Sequence, residues 1–362
     1  MVVGINGSYG FIGYHLWLYL TYKWDDIKVI RLSKNLENDL ENLKKCDTIV
    51  HTAERNRGNI EEIYKNNIAS ANKLTSTLSK VNNPADIIYT SSIHEKDDNL
   101  YGLWRRENNL MFKKWCRKNK CKFKSLRLPN IYGPFCKPDY NSFIATFCDK
   151  IIKGEKLQVN DNEVKLLYID NLCEQIFRNI LAWNYLPIKY DIKTSVSKIY
   201  ETLLRFKEEY LDYNRIPKFQ NDFELNLFNT FRSYIKKEER LFNADSHNDE
   251  RGRLSELVIS KTKGQIFFST TKPGIVRGNH FHTRRVERFC VLEGEALVQM
   301  RKVGTDNVIE YKIKGTDSKV IDMPIYYTHN LKNIGDTELI CCFWMNDILK
   351  EQKVDDTYYE KV

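Results

Sequence analysis

Short apolar runs at 1–5, 27–32, 47–51, 85–91 and 122–127 alternate with amphipathic stretches at 11–22, 60–80 and 104–119. Strands alternating with helices predict an α/β Rossmann-like unit, a doubly wound parallel sheet covered on both faces. Residues 33–45, rich in Asn, Lys and Glu, read as a polar connection with a short helix. From about 140 the pattern loosens into a smaller mixed region ending near 235, with a helix over 196–210, where a substrate-binding lobe would sit. Residues 236–250 are charged and poor in apolar groups, which marks a boundary. From 251 onward, runs at 254–260, 265–271, 287–292, 296–303, 308–313, 319–322 and 338–345 predict a small all-β jelly-roll barrel. Two domains are expected, 1–240 and 245–362, and a chain of 362 residues has room for both cores.

Composition narrows the class. The hydrophobic share of 42% is that of a globular protein, and no apolar run approaches the roughly 20 residues that span a bilayer, so no membrane partner is expected. The nine cysteines are scattered without a CxxC pair, and the first residues form a core strand rather than a basic-then-apolar leader, which predicts a cytoplasmic location. Cys290, Cys341 and Cys342 lie in apolar runs and read as small buried hydrophobes. The net charge of +9 is spread along the chain among 48 acids, with no nucleic-acid module in sight. A phosphorylated substrate and cofactor account for this mild positive field, and no nucleic-acid partner is expected.

The first thirteen residues, MVVGINGSYGFIG, run a strand into Gly4, Gly7, Gly10 and Gly13 and then into a helix. In that context glycines allow a tight turn and let a pyrophosphate approach the helix N-terminus. Gly4, Gly7, Ser8, Tyr9, Gly10, Phe11, Ile12 and Gly13 are therefore candidates for cofactor binding. Arg31 ends the second strand where an NAD-binding chain usually carries an acid for the ribose hydroxyls. A 2′-phosphate suits it better, which favours NADP(H) over NAD.

Toward the other end, Gly274, His280, His282, Glu287 and Gly294 follow the spacing G-x5-H-x-H-x4-E-x6-G, and Pro324, His329 and Asn333 come after. This is the cupin pattern. Alternate residues of a strand share a face, so His280 and His282 converge, and a partner strand can bring Glu287 and His329 to them. Three imidazoles and a carboxylate form a ready shell for a divalent metal such as zinc. The same groups serve equally as proton carriers in a metal-free cup.

The first half resembles the extended short-chain dehydrogenases/reductases in three separate stretches: GSYGFIG, DTIVHTA at 47–53 and RLPNIYGP at 127–134, with Asn67 where that superfamily often has a structural Asn. The resemblance implies Tyr101 as proton donor, Ser92 as the hydroxyl beside it with Ser91 and Thr90 as neighbours, Ala53 and Pro129 near the cofactor, and Ser91 and Asn130 near the substrate. The fourth residue after Tyr101 is Arg105 in place of the usual Lys. A guanidinium still brings positive charge one helical turn from the phenol. Its planar fork need not reproduce the lysine's bond to the ribose. Arg106 faces another direction.

The second half resembles nucleotide-sugar 3,5-epimerases at 249–256 and in the segment RGNH at 277–280. By that resemblance His280 is the general base, Arg251 or Arg277 a phosphate contact, and Tyr326 or Tyr327 the acid. Tyr326 stands where the second cupin motif usually has Gly.

A short-chain reductase followed by a cupin resembles the bifunctional capsular polysaccharide enzymes of the CapF type, also at 140–148, 158–161, 327–330 and 335–337. That family implies a UDP-2-acetamido-2,6-dideoxy-4-keto-hexose epimerised at C3 in the cupin and reduced at C4 by NADPH, in a homodimer. Two alternatives stand beside it. One is a rhamnose-type 3,5-epimerase/4-reductase on UDP- or dTDP-4-keto-6-deoxyglucose, the other a sugar-nucleotide or cofactor sensor in which Arg105 has disabled catalysis.

Overall fold

Five parallel strands make the first sheet: β1 (Val2–Asn6), β2 (Lys28–Leu32), β3 (Thr48–His51), β4 (Asp86–Ser92) and β5 (Phe123–Leu128), in the order β2-β1-β3-β4-β5. β3 and most of β4 are buried throughout, as strands covered on both faces must be. The computed structural model describes residues 1–249, 252–256, 258–260, 264–347 and 356–362. They fall into two compact units, Met1–Phe147 with Val159–Ile199, and Cys148–Gln158 with Tyr200–Val362.

In the first unit the strand order reverses beside β1, so the carboxyl ends of β1 and β3 flank a crevice of the kind that takes ligands in doubly wound sheets. The expected polar connection is a pair of short turns, Leu36–Asp39 and Leu40–Leu43. Helix Leu100–Asn119 starts at Asn99, whose side chain accepts from the Gly102 amide at 2.9 Å. This cap puts Tyr101 in the first turn and Arg105 one turn later. The loop after β3 is clamped by Asn67, which accepts from the Arg55 amide and donates to the Arg55 carbonyl, both at 2.8 Å.

His51, at the end of β3, is fully buried between Tyr89 and Phe112, and its Nδ1 lies 3.1 Å from the Asn6 amide nitrogen. Burial pushes this imidazole down from 6.5 to about 4. Between those values the unfolded chain holds a proton that the folded chain lacks, so stability rises with pH across the window and is lost as pH falls through it. The melting temperature should therefore drop between pH 6.5 and 4. His51→Gln should remove a component of up to roughly 3 kcal/mol from that slope. An unchanged slope in His51→Gln would assign the acid sensitivity to other groups.

The second unit contains two five-stranded sheets with every pairing antiparallel. One runs Leu241–Asn243, Lys319–Met323, Glu287–Glu293, Leu339–Met345, Gln265–Thr271; the other runs Val308–Lys314, Glu295–Lys302, Tyr327–Asn333, Val276–Phe281, Tyr358–Tyr359. Phe289, Val298, Met300, Ile321, Leu331 and Cys341 fill the space between them. This is the expected jelly-roll barrel. The apolar periodicity passes over Val276–Phe281 and Tyr327–Asn333 because glycine, asparagine and histidine interrupt their alternation.

The expected substrate lobe is divided: residues 159–199 stay with the first sheet, whereas 200–235 cluster with the barrel. Asp322 fastens them there. It accepts from Arg232 at 2.9 Å, from Arg288 at 3.3 Å and from the Tyr210 hydroxyl, all buried. Arg288 reaches it from the outer face of its strand, so the pleat sends the neighbouring Glu287 inward. Among the described residues, no helix is long and apolar enough to cross a membrane.

Candidate active sites

The turn after β1 depends on two glycines. Gly7 has φ +93°, and a Cβ there would lie 2.6 Å from the Ala53 nitrogen; one on Gly13 would lie 2.2 Å from the Gly7 carbonyl oxygen. Helix Phe11–Lys23 then begins with no side-chain cap and no acid in its first turn, which leaves its leading amides for an anion. A glycine cradle ending on such amides fits a dinucleotide pyrophosphate. Beside it the Arg31 guanidinium lies 4.2 Å from the rings of both Tyr9 and Trp17, and its buried Nε has no hydrogen-bond partner.

A cavity of about 800 Å³ opens from this loop. Tyr9, Gly10, Phe11, Ile12, Ser91, Ser92, Tyr101, Arg105, Pro129 and Asn130 all line it. Arg105 Nη2 donates to the Tyr101 oxygen at 2.8 Å, so the phenol's own proton is left for a partner in the cavity. Ser91 Oγ donates to Glu95 at 2.8 Å, whereas Ser92 Oγ accepts from the His94 amide at 3.2 Å and keeps its proton. Glu54 binds Arg105 at 2.8 and 3.3 Å and accepts from the Tyr89 hydroxyl at 2.9 Å. Burial pushes the Glu54 carboxyl up, against the pull of Arg105 and Tyr89. Burial and Glu54 push the Tyr89 phenol well up.

The cup of the barrel has a volume of about 320 Å³ and holds His280, His282, Glu287 and His329. One ligand atom from each lies within 4.8 Å of the others. Gly278 (φ +101°) makes this possible: a Cβ there would lie 2.7 Å from the His329 carbonyl, and a bulge beyond it brings His280 opposite His329. His282 Nδ1 bonds the Asp356 carbonyl at 2.9 Å, and His329 Nδ1 bonds the Tyr327 carbonyl at 3.1 Å. A carbonyl only accepts, so each Nδ1 carries the proton and each Nε2 offers a lone pair.

His282 Nε2 lies 3.1 Å from Glu287 Oε2, yet neither atom has a hydrogen-bond partner of sound geometry. Two buried acceptors that face each other without a proton form a donor set for a cation. Ligands at about 2.1 Å from one ion stand at most about 4.2 Å apart, so the four groups need only close in slightly. Burial pushes His329 down to about 4 and, together with His282, lowers His280. Burial alone would raise Glu287, but in the metal-free cup with protonated imidazoles the hydrogen bond and charge of His282, and the charges of His329 and His280, bring it down to about 2.

Several expected residues lie elsewhere. Gly4 sits inside β1 against Cys46, and Ser8, in the loop itself, has a fully buried side chain. Tyr326, expected as the acid, is not among the residues that line the cup. Its backbone is left-handed (φ +59°) and its amide bonds the His282 carbonyl, so the ring turns toward Phe281, on the opposite face of the strand from His280 and His282. The left-handed backbone explains why glycine is usual there. Tyr359 instead stands at the cup, its ring 6.3 Å from His280. Arg277 lines the cup, whereas Arg251 lies outside the described residues.

Sequence reasoning missed Glu54 and Arg285. Arg285 is 3% exposed and lines the cup, and its Nε and Nη2 have no partner among the described residues. It stands two positions before Glu287, the spacing of a shared strand face. Asp356 accepts from the amides of Arg284 and Arg285 at 3.0 and 2.9 Å and so fixes the segment that bears it.

A glycine-loop α/β unit with a phenol and a guanidinium in its cavity, followed by a histidine-lined cupin barrel, defines a nicotinamide-dependent reductase joined to an epimerase. Residues 3–182 match the NAD dependent epimerase/dehydratase family, and residues 247–358 the polysaccharide biosynthesis C-terminal domain. The crystal structure of the capsular polysaccharide assembling protein CapF from Staphylococcus aureus is 32% identical, with all of both chains covered and a TM-score of 0.58. The UDP-2-acetamido-2,6-beta-L-arabino-hexul-4-ose reductase of Pseudomonas aeruginosa is 27% identical over 99% of this chain and 98% of its own. The UDP-N-acetylglucosamine 4-epimerase from Bacillus cereus, 17% identical over 65% of this chain and 95% of that one with a TM-score of 0.50, shares the fold. The chain belongs to the CapF family of capsular polysaccharide enzymes.

Proposed function

We propose that the cup epimerises C3 of a UDP-2-acetamido-2,6-dideoxy-4-keto-hexose and that the first unit then reduces the C4 ketone with NADPH. The product is a UDP-N-acetyl-6-deoxy-L-hexosamine for polysaccharide synthesis. The observation that carries this reading is the phenol of Tyr101 held by Arg105 at 2.8 Å in the cavity that opens from the glycine loop, on a chain similar throughout to a reductase of such a ketone. Arg31 beside the glycine loop supports the phosphorylated cofactor.

The order follows from the chemistry. A C3–H is acidic only while C4 is a ketone, so reduction comes last and locks the configuration. In the cup, His280, the least buried of the three histidines, removes the C3 proton, and Tyr359 returns one on the other face. The unpaired donors of Arg285 stabilise the negative charge that grows on the ketone oxygen. His282, Glu287 and His329 would hold a divalent ion such as zinc, which supplies Lewis-acid charge when bound. In the first unit the nicotinamide supplies hydride to the C4 carbon. Tyr101 gives its proton to the carbonyl oxygen, Ser92 donates to that oxygen, and Arg105 holds the charge left on the phenol. Arg277 contacts the diphosphate from the rim, and we extend to this chain the homodimer and cytoplasmic setting of CapF-type enzymes.

The test is turnover of purified protein with NADPH and three ketones: the N-acetyl UDP-sugar, and UDP- and dTDP-4-keto-6-deoxyglucose. Oxidation of NADPH at least about tenfold faster with the first supports the proposal, since a polar group that the site is built to bind is worth that or more. A reversed order would establish the rhamnose-type activity. NADPH binding without oxidation of any ketone would establish a sensor.

A further inference from the structure

We infer that Glu54 is a positioning residue of the reductase site, and that Glu54 and Arg105 act as a matched pair in which the carboxylate aims the guanidinium at the Tyr101 oxygen. This role presupposes the reductase chemistry proposed above.

Glu54 follows β3 in the loop clamped by Asn67 and stands 51 residues from Arg105 in sequence. Its Oε2 accepts Arg105 Nη2 at 2.8 Å, and its Oε1 accepts both Nη1 at 3.3 Å and the Tyr89 hydroxyl at 2.9 Å. The carboxylate is therefore fixed from two sides. Arg105 Nη2 gives its second N–H to the Tyr101 oxygen, also at 2.8 Å. A guanidinium is planar and its donors keep fixed angles, so anchoring one edge sets the direction of the remaining N–H. Both side chains are nearly dry, 4% exposed for Arg105 and 8% for Glu54, so water has little access to either contact.

A lysine in the same place would behave differently. Its ammonium is a compact charge without a fork, and the Glu54 carboxylate would draw it away from the phenol. Glu54 thus helps an arginine and hinders a lysine at position 105, a dependence that a purely structural carboxylate would not show.

The test is a cycle of variants assayed for NADPH oxidation by the N-acetyl 4-keto UDP-sugar. C3 deuterium exchange and melting temperature report that each variant is folded. Glu54→Gln should lower kcat on the order of 10- to 100-fold, the scale of a misaimed catalytic group, with KM little changed. Arg105→Lys alone should lose a similar factor. Adding Glu54→Gln to Arg105→Lys should raise kcat again, by about tenfold, because the competing charge is gone. Loss in both backgrounds, or in neither, overturns the inference. Should Glu54→Gln fail to fold, Glu54→Asp carries the test: it keeps the charge but pulls the guanidinium back, so an unchanged kcat overturns it too. If the unaltered chain oxidises no NADPH, the reductase reading falls, and this inference with it.

Discussion

Tyr101→Phe should abolish NADPH oxidation, lowering kcat by about 10²- to 10⁴-fold, the contribution of a positioned general acid. C3 exchange of deuterium should continue at its former rate. The substitution removes one oxygen and leaves the ring, which packs edge-on against Trp104 at 5.5 Å, so the first turn of the helix keeps its shape. Arg105 loses one acceptor but retains Glu54, so no buried charge is stranded. The effect should therefore fall on kcat with little change in the KM for the ketone. Stopped assays with NADPH absorbance on one arm and proton NMR of C3 on the other separate the two activities. A residual reduction rate within about tenfold of the unaltered enzyme would remove Tyr101 from the role of acid. Parallel loss of exchange would contradict separate sites.

Features set by the backbone alone were the most legible in the sequence. Gly7 and Gly13 could be read because the turn leaves no room for a Cβ, and that demand is local. The four cup residues could be read because strand alternation and a fixed spacing determine where side chains point. Tyr326 shows where local reading stops. The missing glycine at that position was visible, but the ring's direction follows from a bond between its amide and the His282 carbonyl, a contact that no periodicity encodes. Glu54 was invisible for a similar reason: it is one acid in a loop, and only the parallel sheet brings that loop beside Arg105. Arg285 did carry a signal in its spacing from Glu287, but a basic residue near a phosphate-binding motif reads first as surface. The division of the substrate lobe hangs on Asp322, whose partners Tyr210, Arg232 and Arg288 come from three distant segments.

Glu287→Gln should abolish binding of a divalent ion in the cup and stop C3 exchange while leaving the fold intact. Glu287 is the only carboxylate in the four-residue cluster, so its loss removes the one negative charge that would balance a divalent cation. Affinity should fall by at least about 100-fold, the upper end of what even supporting groups around such sites contribute. The amide that replaces it has N–H donors, and one of them can reach the unpaired His282 Nε2 that now faces a second acceptor at 3.1 Å. The variant thus satisfies without metal a pair that the native cup leaves open, and its melting temperature in chelator should equal or exceed that of the unaltered chain. Metal content by mass spectrometry should drop from about one equivalent to under about a tenth after passage through metal-free buffer. Reduction of the already epimerised ketone should persist, since Tyr101 and Arg105 are untouched. If instead the unaltered chain carries under about a tenth of an equivalent and exchanges C3 at full rate, the ion has no part in the chemistry. His280, Arg285 and Tyr359 would then carry the epimerisation alone.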